Sequence, residues 1–225
     1  MKIFHIITSL NLGGAERIAI NIAKSSNKKF EYHIVEVVRS HGYFTDSLLN
    51  EIKQEKIKIH RSPISSKKLA IIFFPLWFII IYIKNNPSVI HSHTEVPDLA
   101  LWIFRKISWA IFWIKPKYVR TIHNTELWND WKVIGKIVEK YYLRHHCNVA
   151  ISTSTQENYI KEYGGTTPPI IYNGLREVPQ KKFQHLKPNL INILFAGRLE
   201  HQKGIDELIN VVTALEKDKR FFSTL

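Results

Sequence analysis

The stretch Asn192–Asp206 reads NILFAGRLEHQKGID. Its apolar run ends at Gly197, two cations follow at Arg198 and Lys203, and an amphipathic pattern begins at Ile205. This order predicts a strand, a tight turn and a helix start, with both cations at the carboxyl edge of the strand, where open α/β sheets bind ligands. A guanidinium and an ammonium there suit a diphosphate whose charge grows as it leaves. The alternative is two surface cations that flank a turn.

The composition indicates a folded protein of a reducing compartment. The chain has 225 residues, of which 45% are hydrophobic, and this apolar content is ample for a packed core. The single cysteine, Cys147, excludes an internal disulfide framework. Residues 1–7 are too short for the apolar core of a signal peptide and predict a first strand instead. We therefore expect a cytoplasmic protein.

The charge and one apolar segment suggest the partners. The net charge of +13 suits nucleic acid, anionic lipid or a polyanionic substrate, but no zinc-finger spacing or RNA-binding motif is visible, so we expect no nucleic acid. Leu69–Ile83 carries no charge and lies between Lys67-Lys68 and Lys84. Its 15 residues are short of the roughly 20 that span a bilayer. Two interpretations stay open, a buried helix on a sheet face and a peripheral helix in the plane of an anionic membrane surface.

The order of the predicted elements indicates the fold class. Strand patterns alternate with helical patterns almost throughout, which predicts an α/β protein with a Rossmann-like parallel sheet over residues 1–176. Residues 177–189 are polar, contain two prolines and lack an apolar period, and we expect a linker there. Residues 190–225 then predict only the first βα unit of a second, incomplete Rossmann-like domain.

Glycines and histidines occupy the ends of predicted strands. Gly13 and Gly14 stand between the first strand and its helix, where the backbone can approach an anion, although a plain loop is the alternative. His91 and His93 share one face of the fourth strand and could hold a metal, but no third ligand lies at a recognisable spacing nearby, so we expect no metal site. His123 ends the fifth strand and can donate a hydrogen bond to a ligand; capping a loop is the alternative.

Gly197-Arg198-Leu199, followed by Gln202-Lys203-Gly204-Ile205, resembles the donor-site motif of the retaining family 4 glycosyltransferases, which have the GT-B fold. In that family the arginine and the lysine contact the diphosphate of a sugar nucleotide. The resemblance therefore implies that Arg198 and Lys203 are catalytic residues. It also implies a sugar nucleotide as the donor substrate and no metal or other cofactor.

The first domain is similar to the same family at several strand ends. Residues 13–17, Gly-Gly-Ala-Glu-Arg, resemble the family's first loop, in which Gly13 and Gly14 would cover the cleft and touch the acceptor or the donor phosphate. His93 belongs to a histidine-x-histidine that resembles a cleft-lining element, which implies a hydrogen-bonding contact. His123 resembles the strand-end histidine beside the reacting sugar, and we expect it to orient that sugar. Asn173 lies in an Asn-Gly turn that resembles the one before the interdomain crossing.

The resemblance implies hexosyl transfer with retention, to a lipid-linked or surface-polysaccharide acceptor on the inner face of the cell membrane. The family's later donor elements, a glycine-rich turn and a Glu-x7-Glu motif, do not occur in these residues, so we expect no sugar transfer by the isolated chain. The alternative is a non-catalytic, membrane-docking acceptor domain or one half of a split transferase. Sugar-nucleotide epimerases and non-enzymatic relatives of the same architecture are a further alternative.

Overall fold

The computed structural model describes residues 1–11, 13–25, 29–112, 117–129, 131–174, 192, 194–195, 197 and 204–216, with the side chains of 109–112 excepted. The chain divides into two compact units, Met1–Arg176 and Glu177–Leu225. The six strands described here lie in the first unit.

Six parallel strands form one sheet in the first unit. They are β1 (Lys2–Ile7), β2 (Glu31–Glu36), β3 (Lys58–Arg61), β4 (Val89–Ser92), β5 (Lys117–Ile122) and β6 (Asn148–Ala150). The strand order is β3-β2-β1-β4-β5-β6, and every adjacent pair is parallel. This is the order of a doubly wound, Rossmann-like sheet, which confirms the predicted fold class.

A helix follows almost every strand. They are α1 (Gly14–Ala23), α2 (Tyr43–Gln54), α3 (Lys67–Asn85), α4 (Glu95–Phe112), α5 (Lys132–Arg144) and α6 (Thr153–Tyr163), with α7 (Ile205–Glu216) in the second unit. Local chemistry fixes several ends: the Ser152 hydroxyl accepts a bond from the Thr155 backbone N–H at 3.1 Å, as expected for an N-cap. Gly164 ends α6 at φ 65, which a residue with a side chain rarely adopts.

The sheet separates two hydrophobic clusters. On one face Phe4 and Ile6 of β1 pack with the inner residues of α3 and α4, such as Phe78 and Phe104. On the other face Ile7 and its neighbours pack against α1 and α2. Alternate residues of β1 thus enter different clusters, as the two-residue period of a strand requires.

Helix α3 has one side buried against the sheet, as the first interpretation of the sequence expects, and one side that is exposed. Ala70, Ile71, Phe74, Pro75 and Phe78 are buried in the core, while the opposite side of the helix exposes large apolar side chains. By length and composition alone α3 is apolar enough to cross a membrane, although 28% of its most apolar window is buried in the protein. The helix is therefore a sheet-packed element with an apolar outer side.

The stretch that carries the two predicted cations is described only in part. Arg198 and Lys203 lie outside the described residues, as does the predicted linker at 177–189. Asn192, Leu194, Phe195 and Gly197 are described without regular secondary structure, so the strand predicted there is not seen among them. The helix predicted to follow is present as α7.

Candidate functional site

The strand order reverses between β1 and β4, which makes the carboxyl ends of these strands the expected ligand position in a sheet of this kind. The hydroxyl groups of Thr8 and Thr94, which follow the two strands, are 2.7 Å apart and share a hydrogen bond. Asn124, after β5, donates from its side-chain amide to the Glu95 carboxylate at the start of α4, at 3.2 Å. The polar side chains that follow three neighbouring strands, β1, β4 and β5, thus lie at one edge of the sheet.

The loop after β1 is held at its base by a buried carboxylate. Glu36, at the end of β2, is fully buried and accepts from the Leu10 backbone N–H at 3.1 Å and from the Ser40 hydroxyl at 2.6 Å. Arg61 of β3 donates to the same carboxylate from Nε at 2.8 Å. The Thr45 hydroxyl donates to the Leu10 carbonyl at 2.9 Å. Both backbone groups of Leu10 are therefore fixed, and the glycine loop starts from a rigid point.

Gly13 and Gly14 line a surface cavity of about 270 Å³, together with Asn11, Arg17 and Leu48. Gly13 precedes α1 in an extended conformation, and a Cβ at this residue would overlap the Glu16 carboxylate. A Cβ at Gly14 would meet nothing within 4 Å. The predicted glycine loop therefore borders open space at the start of α1, and a side chain at Gly13 would require the Glu16 carboxylate to move.

A chain of hydrogen-bonded histidines runs from the core to the edge of the sheet. Nδ1 of His5, on β1, is 2.9 Å from Nε2 of His93, and Nδ1 of His93 is 3.2 Å from Nε2 of His123. His5 and His93 are fully buried, whereas His123 is partly exposed. His91 lies beside this chain with its ring centroid 4.1 Å from that of His93, which confirms that the two share a face. The Thr121 hydroxyl holds Nε2 of His91 at 2.7 Å.

Burial keeps these histidines neutral near pH 7. It lowers the pKa of His91 and of His123 to about 4. It lowers the pKa of His5 and of His93 well below the ordinary value, and the neighbouring histidines contribute in the same direction. A neutral imidazole carries one N–H donor and one bare acceptor nitrogen, so each ring in the chain can donate one hydrogen bond and accept another.

The structure supplies the third histidine that spacing along the chain did not reveal. His5, His91 and His93 each offer a ring nitrogen, and these atoms lie within 4.8 Å of one another. Neutral imidazoles in such a group suit a transition metal. Two of the nitrogens, Nδ1 of His5 and Nε2 of His93, already share a hydrogen bond. A metal that used those two atoms would have to break it.

A buried charged cluster lies on the opposite face of the same strands. Arg120 of β5 donates from Nε to Asp98 of α4 at 2.6 Å, and from both terminal nitrogens to Glu139 of α5 at 2.6 Å each. All three side chains are 1% exposed. Glu139 also accepts from the Trp128 indole at 2.6 Å and from the Tyr159 hydroxyl at 2.7 Å. The cluster ties the start of α4, immediately after His93, to α5 and α6.

One of the two carboxyl groups in this cluster titrates unusually. Burial raises the pKa of Asp98 to about 7, although Arg120 lies beside it and the Ser92 hydroxyl donates to it at 2.5 Å. The pKa of Glu139 is lowered despite burial, because it takes both terminal nitrogens of Arg120. One guanidinium cannot neutralise two carboxylates, so Asp98 retains its proton to a higher pH than Glu139 does.

The structure brings together some of the predicted site residues and not others. Gly13 and Gly14 follow β1, and His93 and His123 follow β4 and β5, so these four lie at the carboxyl edge around the reversal point. His93 is fully buried and both of its nitrogens are bonded to other histidines, so within this unit it reaches the edge only through His123.

Asn173 is not at the reversal point, and the other two predicted residues are not described. Asn173 is exposed and comes three residues after Ile170, which bridges to Ala150 of β6. It therefore stands beside the far strand of the sheet and not at the reversal point. Arg198 and Lys203 lie outside the described residues.

Sequence reasoning missed His5 and the cluster around Arg120. An arginine inside an otherwise apolar strand was the available signal for the cluster, because a buried guanidinium requires carboxylate partners. For His5 the available signal was its position in the first strand, because a doubly wound sheet places that strand beside the fourth. In the structure His5 pairs with His91 across β1 and β4.

Comparison with known proteins agrees with the fold. The sequence profile of Glycosyltransferase Family 4 matches residues 12–177, and the chain belongs to this family. A capsular polysaccharide biosynthesis glycosyltransferase of Staphylococcus aureus, CapH, is 34% identical over 93 residues, which are 41% of this chain and 24% of CapH.

Two further relatives match nearly the whole chain at 23% identity. One is an uncharacterised 41.2 kDa protein from the cps region of Klebsiella pneumoniae, of which the chain covers 63%. The other is an alpha-1,4-N-acetyl-D-galactosaminyltransferase of Campylobacter jejuni, whose name includes a PP-undecaprenol-linked saccharide, and of which the chain covers 58%. The chain thus spans less than two thirds of the length of the curated relatives that it matches.

Solved structures show the same fold. The HepE protein of Anabaena, in complex with UDP-glucose, superposes with a TM-score of 0.56 at 19% identity, over 78% of this chain and 44% of HepE. The lipopolysaccharide outer core galactosyltransferase WaaB, in its apo form, gives a TM-score of 0.54 at 17% identity, over 78% of this chain and 46% of WaaB. At these identities the likeness concerns the fold alone.

Proposed function

We propose that this chain provides the acceptor-side half of a glycosyltransferase that moves a hexosyl group, with retention, from a sugar nucleotide to a lipid-linked or surface-polysaccharide acceptor. The observation that carries the proposal is that Gly13, Gly14 and His123 all follow strands whose carboxyl ends lie at or beside the reversal point of the sheet. The names of the relatives from S. aureus and C. jejuni support the reaction class, and the UDP-glucose bound to HepE supports the donor class.

In this proposal His123 donates a hydrogen bond to the reacting sugar and orients it. Its imidazole is neutral near pH 7, and within the described residues its Nδ1 makes no hydrogen bond. Gly13 and Gly14 let the loop backbone approach the ligand. Arg198 and Lys203 would neutralise the charge that develops on the departing diphosphate. Asn173 is proposed as a further contact to the substrate.

We also propose that no resident metal or other cofactor takes part. Support comes from His93, because both of its ring nitrogens are engaged in hydrogen bonds with His5 and His123, one of which a metal ligand would have to give up. Cationic side chains at Arg198 and Lys203 would supply the charge that a divalent ion supplies elsewhere.

The test is sugar transfer by the protein expressed at the length that its gene encodes. Purified protein is incubated with radiolabelled UDP-sugars and lipid-linked saccharide acceptors, and transfer to the lipid fraction is measured with and without a chelator. We expect His123→Ala to lower transfer about 100-fold, as loss of a preorganised donor does elsewhere. The matched control is His60→Ala, which removes a half-buried histidine of β3 outside the chain of His5, His93 and His123. Equal transfer by both variants would contradict the proposal.

We further propose that the protein docks on the cytoplasmic face of an anionic membrane through the outer side of α3. That side carries six apolar residues that are between 47% and 67% exposed: Leu69, Ile72, Phe73, Leu76, Ile80 and Ile83. Their spacing of three and four places them along one stripe of the helix. Lys67, Lys68 and Lys84 stand exposed at its ends. An apolar stripe with lysines at its borders suits the headgroup region of an anionic bilayer.

A second group of apolar residues extends this surface. Val133, Ile134 and Ile137 of α5 are exposed among exposed lysines of the same helix. The ammonium of Lys67 lies 4.7 Å from the centre of the Trp131 ring, so the starts of α3 and α5 are neighbours. Helices that follow parallel strands start at the carboxyl edge of the sheet, which is the edge that holds His123. Docking there would bring a lipid-linked acceptor close to the proposed site.

Vesicle sedimentation tests the docking surface. Binding should rise with the fraction of anionic lipid and fall with added salt, because both lysine attraction and apolar burial contribute. The variant Leu76→Glu/Ile80→Glu should bind at least tenfold more weakly. Ile171→Glu is the matched control, since Ile171 is 63% exposed but lies next to β6. Equal binding to neutral and anionic vesicles, or dimerisation through α3 in place of vesicle binding, would contradict the proposal.

A further inference from the structure

The rings of the histidine chain donate their hydrogen bonds in one direction, and the surroundings of His5 at the buried end indicate which direction that is. His5 bonds to His93, and His93 bonds to His123, through one ring nitrogen of each partner at each step. Because every ring is neutral and carries a single N–H, the rings must all donate in the same direction. Only two arrangements satisfy both hydrogen bonds. In the outward arrangement Nδ1 of each ring carries the proton, and in the inward arrangement Nε2 carries it.

The two arrangements differ in what they leave at the ends of the chain. Outward donation leaves a bare Nε2 on His5 and an Nδ1–H on His123. Inward donation leaves an Nε2–H on His5 and a bare Nδ1 on His123. The end at His123 is partly exposed, so water or a ligand can complete either form. The end at His5 therefore decides between them.

Nε2 of His5 has no hydrogen-bond partner among the described residues and is buried. His5 as a whole is 1% exposed, and its ring packs against those of Tyr32 and His91. A buried N–H without an acceptor is among the rarest defects in folded proteins, whereas an unused acceptor is tolerated more often. The inward arrangement would create such an N–H, and the outward arrangement avoids it.

We propose that His5, acting through His93, fixes His123 as the Nδ1–H tautomer, so that a hydrogen-bond donor faces the ligand at the carboxyl edge of the sheet. His5 is thus a positioning residue that touches no ligand. The identity of the ligand atom, an oxygen of the sugar or of the phosphate, rests on the proposed function. The tautomer itself does not rest on it.

The tautomer can be read directly by nitrogen NMR of the 225-residue chain labelled with ¹⁵N-histidine. Protonated and bare ring nitrogens resonate in separate regions, and their couplings to the two ring C–H protons show which nitrogen carries the proton. We expect His5, His93 and His123 all to be Nδ1–H near pH 7.5. Observation of Nε2–H at His123 in the unaltered chain would overturn the proposal.

Substitutions at His5 show whether it controls the edge. His5→Asp places a carboxylate acceptor close to the position of Nδ1, and we expect it to draw the proton of His93 to Nε2 and to shift the ratio of tautomers at His123 at least tenfold toward Nε2–H. In His5→Leu the buried Nε2 of His93 has no acceptor, so it should stay bare and His123 should remain Nδ1–H. His33→Asp is the matched control, because His33 is equally buried and hydrogen-bonded to His60 at 2.9 Å, but on β2. An unchanged ratio in His5→Asp, or a shift toward Nε2–H in His5→Leu, would overturn the proposal.

Two further experimental outcomes distinguish this proposal from a metal site and from the proposed function. Stoichiometric Zn²⁺ that shifts the resonances of His5, His91 and His93 together would replace the hydrogen-bonded chain by a metal site and overturn the inference. The expected tautomers, found in a protein that transfers no sugar, would refute the proposed function and leave the inference intact. Where transfer is measurable, His5→Asp should lower it about tenfold and His5→Leu should retain most of it.

Discussion

Strands β4 and β5 carry polar residues on both faces, and the two faces solve the problem of burial in opposite ways. One face holds ionised groups, with Arg120 bonded to Asp98 and Glu139. The other face holds neutral groups, the imidazoles of His91 and His93 beside the Thr121 hydroxyl. Residues that alternate along the same strands, such as Arg120 and Thr121, therefore belong to different electrostatic environments.

The difference follows from what each face is attached to. The charged face joins the sheet to α4, α5 and α6 through Asp98, Glu139 and Tyr159, and every donor of the guanidinium group that is named above has a carboxylate partner. Rearranging a buried charged cluster would leave ionised groups without partners, at a large cost in free energy. This cluster therefore suits a fixed structural role. The neutral face leads to His123 at the open edge, where an uncharged ring can offer a hydrogen bond to a ligand. Ionised groups hold the strands together, and neutral hydrogen-bonded rings lead to the site.

Removing the guanidinium should produce the largest effect. Arg120→Met leaves two buried carboxyl groups without their counter-charge, and we expect a loss of about 3–5 kcal/mol in the free energy of unfolding. Urea unfolding at pH 7.5 measures it. Arg17→Met is the control, since Arg17 pairs with Glu51 at 2.7 Å but is 42% exposed. Its loss should stay below about 1 kcal/mol. Similar losses in both variants would show that the cluster does not stabilise the frame.

The sequence predicts the local parts of this arrangement well. The alternation of strand and helix patterns predicts the Rossmann-like sheet, and the two-residue period of a strand predicts His91 and His93 on one face. Each of these depends on residues that are close along the chain. Such patterns can be read directly, because the backbone geometry of a strand or a helix start fixes them.

The parts that were missed depend on pairing between distant segments. His5 joins His93 across 88 positions, and only the adjacency of β1 and β4 and their register bring the two together. Arg120 finds its partners on two different helices, whose rotation about their axes a sequence pattern does not specify to within one residue. The two-sided character of α3 was missed for a similar reason, because a nearly uniform apolar segment does not indicate which side meets the core.

The neutral face should make stability depend on pH. In the unfolded chain an imidazole takes up a proton near pH 6.5, whereas folded His91 stays neutral down to its pKa of about 4. The unfolded chain therefore binds more protons in this window, and the stability that His91 contributes is full above pH 6.5 and is lost as the pH falls toward 4. Asp98, with its pKa raised to about 7, acts in the opposite direction on the other face.

Comparing two proteins at two pH values isolates the contribution of His91. Between pH 7 and pH 5 we expect the free energy of unfolding of His91→Gln to fall by about 2 kcal/mol less than that of the unaltered chain. The effect of Asp98 is common to both proteins and cancels. His41→Gln, at an exposed histidine before α2, should leave the pH dependence unchanged. The same pH dependence in all three proteins would mean that His91 is not buried as a neutral group.

The smallest expected change in the free energy of unfolding comes from removing one hydroxyl group on each face. Thr121→Val removes the 2.7 Å hydrogen bond to neutral His91, and we expect a loss of about 1 kcal/mol. Ser92→Ala, on the opposite face, removes the 2.5 Å bond to the Asp98 carboxyl, and we expect about twice that loss at pH 8, where Asp98 is ionised. Urea unfolding of both variants at pH 8 and pH 5.5 provides the measurement. At the lower pH Asp98 is protonated and its bond to Ser92 becomes a neutral one, so the two losses of stability should converge. A difference between the two losses that persists at pH 5.5 would mean that charge is not what distinguishes the faces.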